Sequence, residues 1–456
     1  MFEPRFPLPE VHMSHAVVLG AGMGGLLAAR TLAEHFDRVT VVERDKLDAS
    51  VAPRRGVPQG RHLHLLLPRG GQVLNRLFPG LTGELTAAGA PLAHHEREVR
   101  VVLSGLTQAR PRLDAVTILA SRPLLESTVR ARVAALGNVK ILDEHAVTGL
   151  ITHRGRVVGA RVSPGHSGTA DAGAAPVGSG EEVEADLVVD ALGRAGRTKA
   201  WLAELGHRTP PEDQVKVNVA YASRFLRMPA DALGGDRVVL VAAIPGRPRA
   251  MVLARQEGDR WMLSLGGLAG DHPPLTGAGY LDFAATVAPP DVHAALRDAV
   301  PLSDPVRQHF PASVRRRYER LRTFPPGLLP FADSLCSFNP LYGQGMTVAA
   351  LESEALAAGL RAGTRDLPER FFRAAARVIA PAWLVAAAGD LALPEVPGPR
   401  PARIRVLNTY IRRLHRVAHQ DPTVATPFAQ VITYLAPPAR IAAPTTARKV
   451  LRGPRP

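Results

Sequence analysis

Ala16-Val-Val-Leu-Gly20-Ala-Gly22-Met-Gly24-Gly25 runs into Leu26-Leu-Ala-Ala-Arg-Thr-Leu, and Val39-Thr-Val-Val42 then delivers Glu43 eighteen residues after the last glycine. An apolar strand, a glycine turn, a small-residue helix and a second strand ending in a carboxylate make a βαβ unit of the kind that holds a dinucleotide. Gly20 permits the tight turn. Gly22 lets backbone approach a pyrophosphate, and Gly25 lets the helix pack on the strand, so the helix N-terminus turns its free N–H groups to the anion. Glu43 is placed to accept hydrogen bonds from ribose hydroxyls, and Arg44 beside it counts with the cofactor-binding residues. The unit alone does not separate FAD from NAD.

The 456 residues suffice for two or three domains. The formal charge of +15 is carried mostly by arginine scattered through an Ala-, Gly- and Pro-rich chain. The clusters Arg315-Arg316-Arg317 and Arg412-Arg413 are short and lack interleaved aromatics, so nucleic-acid binding is not expected. The single cysteine, Cys336, excludes an intramolecular disulfide and reads as a packed thiol. No N-terminal stretch has the make-up of a signal peptide, and no run reaches the ~18 apolar residues needed to cross a bilayer. A soluble, cytoplasmic chain is expected, with residues 1 to 13 a loose leader and Met13 an alternative start. His62 and His64 lack a third ligand at a supportive spacing, so no metal site is expected.

Strand-like and helical segments alternate to about residue 205. Arg54-Arg55-Gly-Val-Pro-Gln59-Gly-Arg61-His62-Leu-His64 is turn-rich and leads into a helix running past Leu74; Val99 to Leu103 reads as a strand. Ser121-Arg122-Pro123 opens a helix, because Ser caps well and Pro is tolerated in a first turn. Leu150 to His153 and Val157 to Val162 form a hairpin, and the Ser/Gly/Ala-rich insert from 163 to 180 reads as a flexible loop. Asp186-Leu-Val-Val-Asp190-Ala-Leu-Gly193-Arg194 returns to the sheet. Beyond 205, Val215 to Tyr221, Val238 to Ile244, Ala250 to Arg255 and Arg260 to Leu265 alternate as an antiparallel sheet does, one face of which walls a substrate pocket.

Phe331-Ala332-Asp333-Ser-Leu-Cys336-Ser-Phe-Asn339-Pro340-Leu-Tyr-Gly343-Gln-Gly345-Met346 then runs into a clean helix. An apolar approach, an acid, a Pro/Gly turn and a helix start are the parts of a second cofactor-facing loop. Asp333 suits sugar or ribityl hydroxyls, and the N–H groups of Gly345 and Met346 suit negative charge on a ring carbonyl.

The glycine fingerprint, the Gly56 to His64 segment, Ser121-Arg122, Asp186 to Arg194 and Asn339-Pro-Leu-Tyr-Gly-Gln-Gly-Met together resemble the single-domain flavin monooxygenases of the para-hydroxybenzoate hydroxylase fold. Within that group the chain is most similar to the actinobacterial branch that contains the polyene epoxidases of polyether biosynthesis, over residues 14 to about 435. The resemblance implies an α/β fold: a Rossmann-like FAD-binding domain from 14–75, 120–205 and 320–365, an antiparallel-sheet substrate domain from 76–119 and 206–319, and a helical C-terminal region over 366–456. It implies FAD held by Gly20, Gly22, Gly25, Glu43 and Arg44 at the ADP half. Arg122 would reach the adenosine or pyrophosphate side, Asp333 the ribityl or pyrophosphate, and Pro340, Gly343, Gly345 and Met346 would lie beside the ring. It implies NAD(P)H as electron donor, directly or through a flavin reductase, and O2 activated as a C4a-hydroperoxyflavin that attacks an apolar, electron-rich substrate. In that reading Arg54, Arg55, Gln59 or Arg61 would contact the mobile flavin.

Two positions depart from the family pattern: its Gly-Asp pair reads Ala332-Asp333, and its Ala-Thr-Gly turn reads Ala191-Leu192-Gly193. Alkene epoxidation needs a dry apolar pocket, whereas phenol hydroxylation benefits from a base. Met251, Trp261 and Met262 are the large apolar candidates on the substrate sheet, with ordinary core as their other reading. Three tryptophans, Trp201, Trp261 and Trp383, form no Trp-x-Trp-x-Ile-Pro motif, which counts against halogenation. Aromatic hydroxylation, prenyl-chain reduction or cyclisation, and a non-catalytic FAD-fold scaffold stay as alternatives. The helical pattern with Leu407, Tyr410, Ile411, Leu414, Val417 and Ala418 on one face and arginines around the rest either docks on the body or touches an anionic membrane.

Overall fold

In the computed structural model, which describes residues 13–165 and 180–454, the opening βαβ unit forms where its residues require it. Strand β1 (His15–Leu19) is buried throughout, helix α1 (Met23–Leu32) follows the glycine turn, and β2 (Arg38–Val42) pairs parallel with β1. The leader and most of the 163–180 insert lie outside the described residues.

Leu328–Pro330, Leu187–Asp190, β1, β2 and Val139–Leu142 line up in that order as a five-stranded parallel sheet. A parallel sheet is covered on both faces, so its strands read as unbroken apolar runs rather than alternating ones. Helices α1, Arg122–Ala134 and Gly345–Arg361 contribute to its core, as do Val157, Ala160 and Val162 of a three-stranded antiparallel sheet. The carboxyl end of β1 is flanked by neighbours reached in opposite directions along the sheet. Such a switch point opens the crevice in which α/β proteins bind ligands.

A second, larger sheet is built around Val219–Arg227, Arg260–Gly267, Arg249–Gln256 and Val238–Val241, neighbours in that order and antiparallel wherever adjacent. It is mixed rather than purely antiparallel, because Val99–Leu103 joins Val238–Val241 in parallel. The alternation read through Val215 to Tyr221 is also broken. Asn218 has φ of +39°, which ends Glu212–Val215 in a small separate sheet and restarts the chain at Val219.

One face of the large sheet, carrying Ala222, Leu226, Met251, Leu253, Trp261, Leu263 and Leu265, is sealed by helices Gly277–Ala285 and Pro290–Asp298. Tyr280 locks that layer by donating its hydroxyl to the carbonyl of Leu263 at 2.8 Å. Met251 and Trp261 are therefore core, not pocket wall. Strand alternation puts Tyr221, Ser223, Phe225, Met262, Ser264 and Gly266 on the opposite face.

The helix Leu367–Asp390 is long and apolar enough by length and composition to cross a bilayer. Arg373 and Arg377 interrupt it, so it forms no unbroken apolar run in the sequence. Its Phe371, Phe372, Ala375, Ile379, Ala382 and Ala386 lie in the nucleotide-side core, which makes it a core helix of this fold. The apolar side of Ala402–Ala418 is covered as well: Leu414, Val417 and Ala418 pack with Val424, Ala425, Val431, Ile441 and Val450.

Candidate dinucleotide site

The glycine turn has the geometry that its spacing predicts. Gly20 sits at φ +98° with its N–H on the Val42 carbonyl at 2.7 Å, and a Cβ there would lie 2.8 Å from the Ala191 carbonyl oxygen. A Cβ on Gly25 would lie 1.8 Å from the Gly20 oxygen, so helix and strand meet only because both positions are glycine. Gly22 differs from both: the one group near its missing Cβ is the Arg122 guanidinium at 3.9 Å. It ends the turn without a side-chain cap, and the first bond into α1 runs from Leu26 N–H to Gly22 at 2.9 Å, so the earlier N–H groups are left to an anion.

Glu43 is buried at the end of β2, accepting from the N–H of Ala21 at 2.8 Å and of Asp45 at 3.1 Å. It ties the turn to the strand and so shapes the site, with its ribose-facing role left to whatever lone pairs these donors spare. Arg44 is exposed beside it. Arg54, expected near a mobile ring, lies instead at this end. It pairs with Glu43 at 3.0 Å, Asp45 at 3.1 Å and Glu126 at 2.7 Å, and donates to the Ala21 carbonyl at 3.0 Å. Glu126 also holds Arg122, at 2.8 Å, and so aims it at Gly22. Burial alone would raise the Glu126 carboxyl, yet Arg122 and Arg54 outweigh it and hold the group below the usual carboxylate range. Ser121 caps this helix as its sequence implies, accepting from Leu124 N–H at 3.3 Å.

The second loop comes in against the first. Ala332 takes φ of +55°, and a Cβ on Gly24 would lie 2.7 Å from its methyl carbon. The extra methyl group is thus accommodated in the notch left by Gly24 of α1. Glu352, two turns along the Gly345–Arg361 helix, accepts from the Ala332 N–H at 2.9 Å and pins the loop. Burial pushes its carboxyl well above the usual range, and Asp333 adds to the shift. The Asp333 carboxylate meets no hydrogen-bond donor among the described residues, while its backbone carbonyl accepts from Arg316 Nη1 at 3.4 Å; its Oδ1 would lie 3.9 Å from a Cβ on Gly345. Burial raises its pKa, with Arg122, Arg194 and Arg316 opposing.

Asn339 starts the Pro340–Gly343 turn by accepting from Leu341 N–H at 3.1 Å; Pro340 follows at the first helical position, and Gly343 closes the turn at φ +63°. Gln344 precedes the next helix without capping it, and the first helical bond is from Val348 N–H at 3.0 Å. The N–H groups of Gly345 and Met346 therefore stand free at a second helix N-terminus. Met346 itself is buried. Two C-terminal residues without a sequence signal hold this turn. Asp390 accepts from Asn339 Nδ2 at 2.8 Å and Tyr342 hydroxyl at 3.1 Å, while the Tyr434 hydroxyl donates to Gln344 Oε1. Burial lifts Asp390 to about 7.

Leu192 fits its turn without strain, its N–H on Asp190 at 3.1 Å and its side chain against the core. His62 is buried, bonded through Nδ1 to Ser223 at 3.0 Å and edge-on to Tyr221 at 4.6 Å; burial and Arg61 lower it to about 4. His64 bonds the His62 carbonyl at 3.0 Å. No group of three or more metal-binding side chains occurs among the described residues. The inner face of the large sheet touches the Pro340–Gly343 turn, since a Cβ on Gly266 would lie 2.6 Å from Leu341.

No family model matches the chain. Protein Rv3254 of Mycobacterium tuberculosis is 36% identical to it over 425 residues, which cover 90% of this chain and 87% of that one. The chain belongs to the family of Protein Rv3254. For this member of the Rv3254 family, solved structures show the fold. The flavin-dependent brominase Bmp2 superposes with a TM-score of 0.66 at 16% identity, covering 96% of this chain and 100% of Bmp2. PqsL, a probable FAD-dependent monooxygenase from Pseudomonas aeruginosa, does so with a TM-score of 0.58 at 18% identity, covering 92% and 99%. The Rv3254-family chain thus has the fold of FAD-dependent monooxygenases along nearly its whole length.

Proposed function

We propose that this chain is an FAD-dependent monooxygenase that places one oxygen atom from O2 on an apolar, electron-rich carbon pair, as the polyene epoxidases it resembles do. The observation that carries the reading is the meeting of two uncapped helix N-termini, at Gly22 and Gly345, with the unpartnered Asp333 carboxylate between their loops. The residues fit the cofactor: Gly22 and Arg122 suit the pyrophosphate, Asp333 the ribityl hydroxyls, and the N–H groups of Gly345 and Met346 the ring carbonyl that gains negative charge on reduction. When bound, FAD supplies the oxygen activation. The protein's part is to hold the ring against the Tyr221–Ser223 face of the large sheet and to keep water out.

Alkene epoxidation is favoured over phenol hydroxylation by His62, the titratable base on that face. Lowered to about 4, it is a poor match for a phenol, whose pKa is ~10. The likeness to a brominase is one of fold, and the tryptophan motif of halogenases is absent from the sequence. The test is sequential. Purified or reconstituted protein should show flavin absorbance, NADPH with or without a reductase should drive oxygen uptake, and a polyene should raise that uptake and gain 16 mass units. A colourless protein that cannot be reconstituted rules out the flavoenzyme reading. Turnover without oxygen uptake favours a reductase or cyclase.

A further inference from the structure

Between residues 400 and 452 the chain carries ten Lys and Arg side chains and one acid, Asp421. That acid is already taken, by Lys449 at 2.9 Å. Elsewhere arginines meet carboxylates, as Arg54, Arg100, Arg122 and Arg249 do, so the imbalance belongs to this region and not to the whole surface. Five of the arginines stand on the helix Ala402–Ala418. Arg405, Arg412, Arg413 and Arg416 fall on one side of it, about 120° wide and about 17 Å long, together with Val406 and Thr409. All six are exposed. Arg405 donates to the Arg400 carbonyl at 2.7 Å and Arg412 to the Thr409 hydroxyl at 3.2 Å, but no carboxylate reaches any of the four among the described residues. A solvated helix face mixes both signs, because like charges this close repel and acidic neighbours relieve them. Val406, at 70% exposed, is the most exposed large apolar side chain among the described residues. The adjoining helix Pro444–Arg452 repeats the composition, with Arg448, Leu451 and Arg452 exposed.

The other side of the Ala402–Ala418 helix is spent on the fold, since Ile404, Leu414, Val417 and Ala418 are buried in two clusters. The helix therefore offers a partner its arginine side and keeps its apolar side in the body. Lipid phosphates supply the missing negative charge, and each basic residue near an anionic surface strengthens binding by about fivefold. The headgroup boundary also takes up an apolar side chain set among the charges, whereas a nucleic-acid duplex would answer the arginines and leave Val406 and Leu451 in water. We propose that this face docks the protein on an anionic lipid bilayer, with Arg405, Arg412, Arg413 and Arg416 on the phosphates and Val406 entering the headgroup layer. Ile404 and Leu407, on the inner side, share a cluster with Leu341 of the Pro340–Gly343 turn, so membrane face and cofactor turn belong to one packed layer. A substrate dissolved in the bilayer is thereby held close to the site. Docking rests on the helix alone, and only the lipophilic cargo rests on the monooxygenase reading.

The experiment is flotation of the full chain with vesicles of phosphatidylcholine alone and of phosphatidylcholine mixed equally with phosphatidylglycerol, at low and at high salt. It is run on the wild type, on the Arg412→Glu/Arg413→Glu variant and on a control, Arg208→Glu/Arg227→Glu, which has the same net charge and alters exposed arginines outside the C-terminal helices. Flavin content is read by absorbance in each. The wild type should float with the anionic vesicles only and be released by salt. Arg412→Glu/Arg413→Glu should lower the partition coefficient roughly tenfold or more, and the control should stay within about twofold of the wild type. All four arginines are exposed, so the variants fold. Equal flotation with both vesicle types, no flotation, or the same loss in the control overturns the proposal. Retention of a duplex oligonucleotide without vesicle binding overturns it too and gives the face to nucleic acid. A protein that floats with anionic vesicles but takes up no flavin keeps the docking face and removes the monooxygenase reading instead.

Discussion

Ala332 occupies left-handed backbone, a conformation that costs an L-residue roughly 1–2 kcal/mol relative to glycine. The strain is tolerated because Glu352 holds its N–H and Gly24 leaves room for its methyl group. Ala332→Gly should therefore raise unfolding stability by up to about 1 kcal/mol, once the added freedom of the unfolded chain is subtracted. Gly24→Ala should lower it by ~1–3 kcal/mol through overpacking, and the double variant should recover part of the loss. Urea melts of the four proteins check both. At Asp333 the expected effect is on the cofactor: Asp333→Ala should weaken FAD by roughly tenfold to a hundredfold, the ~1.5–3 kcal/mol of a hydrogen bond to a charged group. Quenching of flavin fluorescence measures it, and an unchanged affinity would show that the carboxylate faces elsewhere.

The Leu367–Asp390 helix and the Pro340–Gly343 turn are coupled through a carboxyl group held near neutrality. Asp390 rises from its ordinary 3.8 to about 7 because burial disfavours its charge, and its Oδ2 has no partner among the described residues. The folded protein thus binds a proton that the unfolded chain has released between about pH 4 and pH 7. Its contribution to stability is complete below pH 4 and fades as pH rises through 7. Asp390→Asn keeps an acceptor for Asn339 and Tyr342 and cannot ionise. Its denaturation midpoint should be less sensitive than that of the wild type between pH 5 and pH 8.5, and identical pH slopes would contradict the assignment. Tyr434→Phe frees Gln344 from the 422–432 side, and should shift the visible flavin spectrum and weaken FAD severalfold with little change in melting temperature. Elements of this kind are what a single sequence hides. The glycine turn, the Ser121 cap and the Pro340–Gly345 turn were legible because one backbone segment makes each of them, and local spacing displays it. Arg54, Glu126, Glu352, Asp390 and Tyr434 meet their partners across the fold, and nothing in their neighbours in sequence marks them. Met251 and Trp261 show the reverse problem, since alternation says which residues share a face but not which face looks at the cofactor.

At the scale of the molecule, a parallel sheet supplies the dinucleotide crevice and a mixed sheet faces it, with the C-terminal helices packed behind the turn that would hold the ring. The βαβ opening and the presence of a second sheet were readable from the order of strand-like and helical segments, and the rest of the architecture from the resemblance to the flavin monooxygenases. The boundary between the sheets was less so, because the change falls within the alternating run at Asn218. If both sheets act on one substrate, oxygen uptake should be coupled to substrate oxidation, and replacing Gly266 by Leu should uncouple it by forcing Leu341 away. The measurement is the ratio of peroxide released to product formed. The grip of Asp390 and Tyr434 on the turn has a further consequence, for biosynthesis. On the ribosome β1 gains its second sheet neighbour only when residues 187–190 have emerged, and the Pro340–Gly343 turn lacks its contacts to Asp390 and Tyr434 until residue 434 is out. Cofactor capture is therefore among the last events in the making of this protein, and nascent chains stalled earlier should bind the adenosine half at most.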